Sequence, residues 1–165
     1  MKRILRLFFL LFLFSGLSKI NAQTRTPSFS VVQATSNNGE LLSVGSLDMS
    51  YKNFKEKIVY PWCLKISIAL DEGHLFENKL PKGEESAIAN NLEDSLIVKL
   101  EKVDRIQYIG HIYYNGFLDI YIYLKDPKAV NNYLSKNIKS RKFVREFEYV
   151  IERDPNWSKV SKYIN

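Results

Sequence analysis

The residues best suited to nucleophilic or metal chemistry are the single cysteine, Cys63, and two histidines, His74 and His111. Their surroundings argue for quieter roles. A metal centre needs several converging ligands, and neither histidine has a second one at helical or strand spacing. A satisfied or solvated imidazole is the simpler reading of both. Cys63 sits between Trp62 and Leu64 with no neighbouring base or cation to lower its pKa, so a buried, protonated thiol is expected. The glycines are isolated, which leaves no phosphate-cradling loop, and no Gly-x-Ser-x-Gly elbow occurs. The expected sheet allows one Ser–His juxtaposition, Ser67 opposite His111, which geometry must decide. Glu93 and Asp94, like Glu84 and Glu85, are adjacent on a helix and point about 100° apart, so neither pair shares a substrate atom easily. Glu146 and Glu148 share a strand face. A solvated or Lys65-paired sheet face explains them without acid–base catalysis. We therefore expect no cofactor and no metal.

The elements that position these residues begin after a leader. Lys2, Arg3 and Arg6 precede the apolar run Leu7 to Phe14, and Ala22 closes the segment. That order is the order of a secretory signal peptide over residues 1–22. The apolar stretch is short against the roughly 20 residues of a membrane span, so no stable membrane anchor is expected after cleavage. Periplasmic or extracellular location follows. Four of the 24 basic residues lie in the leader, which holds no acid, so without it the formal charge falls from +6 to +2. The cluster Lys136, Lys139, Arg141, Lys142 and Arg145 runs straight into Glu146 and Glu148. That pattern suits a solvated helix end and not a phosphate-binding stripe, and no nucleic-acid partner is expected. One cysteine permits no internal disulfide.

Residues 23–28 read as a flexible start and 29–165 as a single domain. Phe29 to Ala34 and Glu40 to Asp48 flank Asn37-Asn38-Gly39 and predict an N-terminal hairpin. In 62–70 the large apolar residues Trp62, Leu64, Ile66, Ile68 and Leu70 alternate with Cys63, Lys65, Ser67 and Ala69. A helix over 84–103 carries the stripe Ile88, Leu92, Leu96, Leu100 and Val103. Strands over 106–114 and 117–124 flank Asn115-Gly116, with Leu118, Ile120, Ile122 and Leu124 facing away from Asp119, Tyr121 and Tyr123. Asp126-Pro127 opens a second helix, and 143–152 forms a last strand. The predicted fold class is α+β: a ferredoxin-like βαββαβ arrangement, a four-stranded mostly antiparallel sheet in the order 4-1-3-2 with two helices on one face, plus the N-terminal hairpin.

Several short motifs in this order resemble the bacterial domain-of-unknown-function 695 family. They are Tyr60-Pro61-Trp62, Leu80-Pro81 before Glu84-Glu85, Leu92-Glu93-Asp94-Ser95-Leu96, Gly110, Asn115-Gly116, Tyr121 to Pro127, and Asp154-Pro155-Asn156-Trp157. The likeness covers about residues 29–163. Relatives often carry arginine just after the hairpin glycine, where this chain has Phe117-Leu118. The resemblance implies no established activity, substrate or catalytic residue. Its occurrence beside a domain similar to the ribonuclease E inhibitor B family hints at protein partners.

The most distinctive predicted surface is the sheet face turned from the helices. Lys65 and Ser67 would lie beside Tyr121 and Tyr123, with His111 and Tyr113 farther out and Glu146 and Glu148 flanking. Aromatics on such a face resemble base-stacking modules, but the carboxylates oppose that use. Three occupants are open: residues 29–50 folded across it as a second core, a protein partner or second copy, or a small ligand. The leading expectation is an exported, non-catalytic protein-binding domain. The alternative is an extracytoplasmic enzyme of unrecognised type, a hydrolase.

Overall fold

A computed structural model describes residues 25–138 and 143–164. The expected leader, and Lys139, Arg141 and Lys142 of the basic cluster, lie outside the described residues. The strands are β1 (Phe29–Thr35), β2 (Leu41–Asp48), β3 (Trp62–Ala69), β4 (Ile106–Tyr114), β5 (Phe117–Leu124) and β6 (Phe147–Arg153). The helices are α1 (Gly83–Glu101), α2 (Pro127–Ile138) and α3 (Ser158–Ile164). Among the described residues, no helix is long and apolar enough to cross a membrane.

All six strands join one antiparallel sheet in the order β1-β2-β4-β5-β3-β6. The expected four-stranded sheet is thus corrected to six, because the N-terminal hairpin pairs along β4 and widens the sheet. Close packing permits this. A Cβ added at Gly45 would lie 2.3 Å from the His111 carbonyl oxygen, so β2 approaches β4 as only glycine allows. A third helix, α3, is also present. The last strand begins at Phe147 and not at 143, and Glu146 contributes only its carbonyl, which accepts a hydrogen bond from Ala69 N–H at 2.9 Å.

The alternation in β3 and β5 sets two cores. Ile66 and Ile120 are register partners and fully buried on the same face. With Leu64, Ile68, Leu118 and Ile122 they pack against Leu92, Leu96 and Leu100 of α1 and Val130 and Leu134 of α2. Truncating any one of these leucines or isoleucines to Ala costs about 2–5 kcal/mol. On the reverse face Cys63, Tyr123, Ile109 and Ile112 meet Tyr51, Tyr60, Trp157, Val160 and Ile164. The segment between β2 and β3, together with α3, covers that part of the face. The β1–β2 hairpin lies beside it in the sheet.

Local signals explain the boundaries. Asn115 (φ 49°) and Gly116 (φ 81°) both take positive φ, as a two-residue hairpin turn with matching twist requires. Asp126 Oδ1 accepts from Lys128 N–H at 3.0 Å and caps α2.

Candidate functional site

The reverse face of β3, β5 and β6 forms three cross-strand rows: Tyr123–Cys63–Glu152, Tyr121–Lys65–Val150 and Asp119–Ser67–Glu148. They differ in what covers them. The first row is sealed over its centre. The Tyr123 ring stacks on Trp157 at 4.0 Å between centroids, and its hydroxyl donates to Asp154 Oδ2 at 2.6 Å. Asp154 also accepts from Ser158 N–H, Ser158 Oγ and Lys159 N–H, so the carboxylate that holds Tyr123 caps α3 as well. Burial opposes the charge of Asp154, but these hydrogen bonds outweigh it and hold the carboxyl below its ordinary range. Trp157 Nε1 donates to the carbonyls of Tyr60 and Lys57, at 3.0 and 3.2 Å. The Asp154-to-Trp157 motif is therefore a latch over the second core. Tyr123 itself is wholly buried, which removes it from any contact surface. Burial pushes the Cys63 thiol up to about 11, so it is no nucleophile near neutrality.

The second row stays partly open; in the third Ser67 is buried, which corrects its expected place on the surface, and only Asp119 and Glu148 reach solvent. Ser67 Oγ donates to Asp119 Oδ1 at 2.5 Å, and Lys65 Nζ lies 3.4 Å from Asp119 Oδ2. Lys159 Nζ pairs with Glu152 Oε2 at 2.5 Å. Between β6 and α3 lies a hollow of about 390 Å³ with Lys65, Tyr121, Val150, Glu152, Lys159 and Lys162 in its walls and the buried Cys63 at its floor. Burial raises the Tyr121 hydroxyl above its ordinary pKa, so it stays a neutral donor. Glu148 is exposed beside Ser67, and Glu146 is exposed just outside β6. A second hollow of about 420 Å³ runs between α1 and Phe143–Val144. Among the described residues its wall is Ile88, Leu92, Phe143 and Val144 with the polar Asn91, Ser95 and Lys99, and it holds no carboxylate, histidine or cysteine.

His111 and Tyr113 are not on this face, and the expected grouping is corrected. Between Tyr108 and Gly110 the β4–β5 register slips by one residue, with Ile109 extra. Such a bulge turns every later side chain over. His111 and Tyr113 then point at α1. His111 Nδ1 lies 2.6 Å from Glu93 Oε2, a close approach that does not have the geometry of a hydrogen bond. Tyr108 Oη donates to Glu93 Oε1 at 2.7 Å, and Tyr113 Oη to Asn90 Oδ1 at 2.6 Å. Ser67 and His111 therefore sit on opposite faces and cannot form a nucleophile–base pair.

Sequence reasoning missed Glu85 and Glu93 as buried groups. Glu85 accepts from Arg145 Nε at 2.9 Å, Arg145 Nη2 at 2.6 Å and Asp71 N–H at 3.0 Å. The hydrogen bonds from Arg145 hold its carboxyl low despite burial. Both acids continue the helical spacing of Ala89, Leu92, Leu96 and Leu100, which was the available signal. Among the described residues, no group of three or more His, Cys, Asp or Glu could hold a metal ion.

The model of a family of unknown function, DUF695, matches residues 32–163. No curated protein matches, and no solved structure matches.

Proposed function

The chain belongs to the family of unknown function DUF695, and from that premise we propose that it is an exported, non-catalytic domain that binds a protein partner in the open hollow of the reverse face. The observation that carries this reading is the row Tyr121–Lys65–Val150. It is half apolar, it is uncovered where its neighbour is latched shut, and Lys159 and Lys162 border it. An amphipathic floor with a charged rim is the anatomy of a protein contact. Lys65 and Lys159 face Asp119 and Glu152, so the rim carries both signs and suits a partner segment of mixed charge. Export is supported by the charge, apolar core and small-residue order of residues 1–22. We read β3-α1-β4-β5-α2-β6 as a ferredoxin-like core widened by the hairpin. The run β4-β5-β3-β6 with antiparallel neighbours supports it.

Capture from the exported fraction tests the function, with wild type and Tyr121→Ala as parallel baits. Proteins held by wild type and lost from a variant of unchanged melting temperature support the reading. Identical captures from both baits overturn it. Mass spectrometry of the cell-fractionated protein tests export: a mature N-terminus near Gln23 is expected, and an intact Met1 in the cytosol refutes it.

A further inference from the structure

The two edges of the sheet are built differently. β6 carries Glu148, Glu152 and Arg153 among its seven residues, and Glu146 adjoins it. Charges of this kind stop a sheet edge from recruiting another strand. β1, Phe-Ser-Val-Val-Gln-Ala-Thr, has no charge and no proline, and all but Val32 are exposed. Its pairing with β2 is regular except at Ala34–Thr35. Among the described residues nothing pairs with its outer side, so alternate N–H and C=O groups face outward along it. Phe29 is 51% exposed and Val31 70% exposed, and both stand on the same strand face.

We propose that β1 is the joining edge of a two-fold homodimer, pairing antiparallel with β1 of a second copy to make one continuous sheet. Unpaired backbone groups select a strand as the occupant, since only an extended chain satisfies them in series. The composition of β1 selects its own copy. In an antiparallel pair centred on Val32, Phe29 meets Thr35 of the other copy, Ser30 meets Ala34, and Val31 meets Gln33. No like charges oppose each other. Each exposed apolar side chain is covered by a small or polar one, and each such contact occurs twice, as an isologous interface requires. The inference concerns a different part of the molecule from the Tyr121 hollow and does not rest on it.

Sedimentation velocity on wild type, Val31→Lys and Val150→Lys provides the test. Val31 and Val150 are both exposed, on opposite edges of the sheet, so either lysine leaves the fold intact, as circular dichroism will verify. Wild type and Val150→Lys are expected to sediment as dimers at micromolar concentration, with Val31→Lys monomeric. Gln33→Lys gives a second edge variant with the same expected outcome. Hydrogen exchange should show β1 amides protected in wild type and released in Val31→Lys. A monomeric wild type overturns the proposal, as does a dimer that survives both edge lysines. So does β1 protection that arises only on adding another protein, which would assign the edge to a foreign strand.

Discussion

Tyr123 and Trp157 lie face to face, with ring planes 13° from parallel. One stands in β5, the other at φ 57° in the turn before α3. Positive φ is costly for a tryptophan, by about 1–3 kcal/mol, and persists only where surrounding contacts enforce it. Here the enforcing contacts are the stack itself, two hydrogen bonds from the indole N–H, and the Asp154 cap. One contact thus ties β5, the segment before β3 and α3 into a single unit.

Trp157→Ala is therefore expected to cost about 3–5 kcal/mol of stability, the range for losing a large buried aromatic. Tyr123→Phe keeps the stack but removes one donor from Asp154, for about 1–3 kcal/mol. Urea unfolding of both variants checks the ranking. Equal small losses would show that the stack does not hold the second core.

Gly110 is expected to tolerate no side chain. Its φ is 133°, and a Cβ would lie 2.1 Å from the Ser46 carbonyl oxygen. Gly110→Ala must therefore push β2 from β4 or flatten the bulge, at a cost of at least ~2 kcal/mol. Gly39, at φ 79° in open space, isolates the backbone effect. Gly39→Ala should cost about 1–2 kcal/mol. Comparable losses from both would deny the close approach of β2 and β4.

The bulge also marks where the fold stops being legible from sequence. Ile66 and Ile120 could be placed because period-two alternation is local and unbroken in β3 and β5. The faces of His111 and Tyr113 could not, because one extra residue at Ile109 inverts them and the only trace is an isolated glycine within a strand. The Tyr123–Trp157 contact joins residues with no shared periodicity, so the covering of half the tyrosine face left no local pattern. Glu85 and Glu93 were hidden for a third reason. A carboxylate on a helix is solvated unless a distant cation or hydroxyl receives it, and Arg145 and Tyr108 are remote in sequence.

Acid should unfold the protein through carboxylates whose folded pKa values are depressed. Asp154, Asp48 and Glu85 all lie below their ordinary values, the two aspartates by hydrogen bonds that outweigh burial and Glu85 chiefly by Arg145. A depressed folded pKa gives stability that is present above the unfolded value, about 4, and is lost as pH falls through the folded one. Stability should be level from pH 7 to about 5 and decline below about 4. Asp154→Asn removes one such proton uptake, so its urea midpoint should change less between pH 7 and pH 3. Identical acid slopes for the variant and wild type would place the titration elsewhere.

Cys63 should behave as a core residue and not as a reagent. Burial sets its thiol at about 11, opposed in part by the Tyr123 hydroxyl. At pH 8 only roughly a thousandth of it is thiolate, and the side chain lies beneath α3 as well. Labelling by an aromatic disulfide reagent should be slow in the native protein at pH 8 and fast in urea. A native rate matching that of unfolded chain would mean the second core opens freely. Because Trp157 helps to close that core, Trp157→Ala should raise the native labelling rate in proportion to its loss of stability, provided labelling proceeds through opening. A labelling rate unchanged in a destabilised Trp157→Ala protein would separate the thiol's protection from the latch.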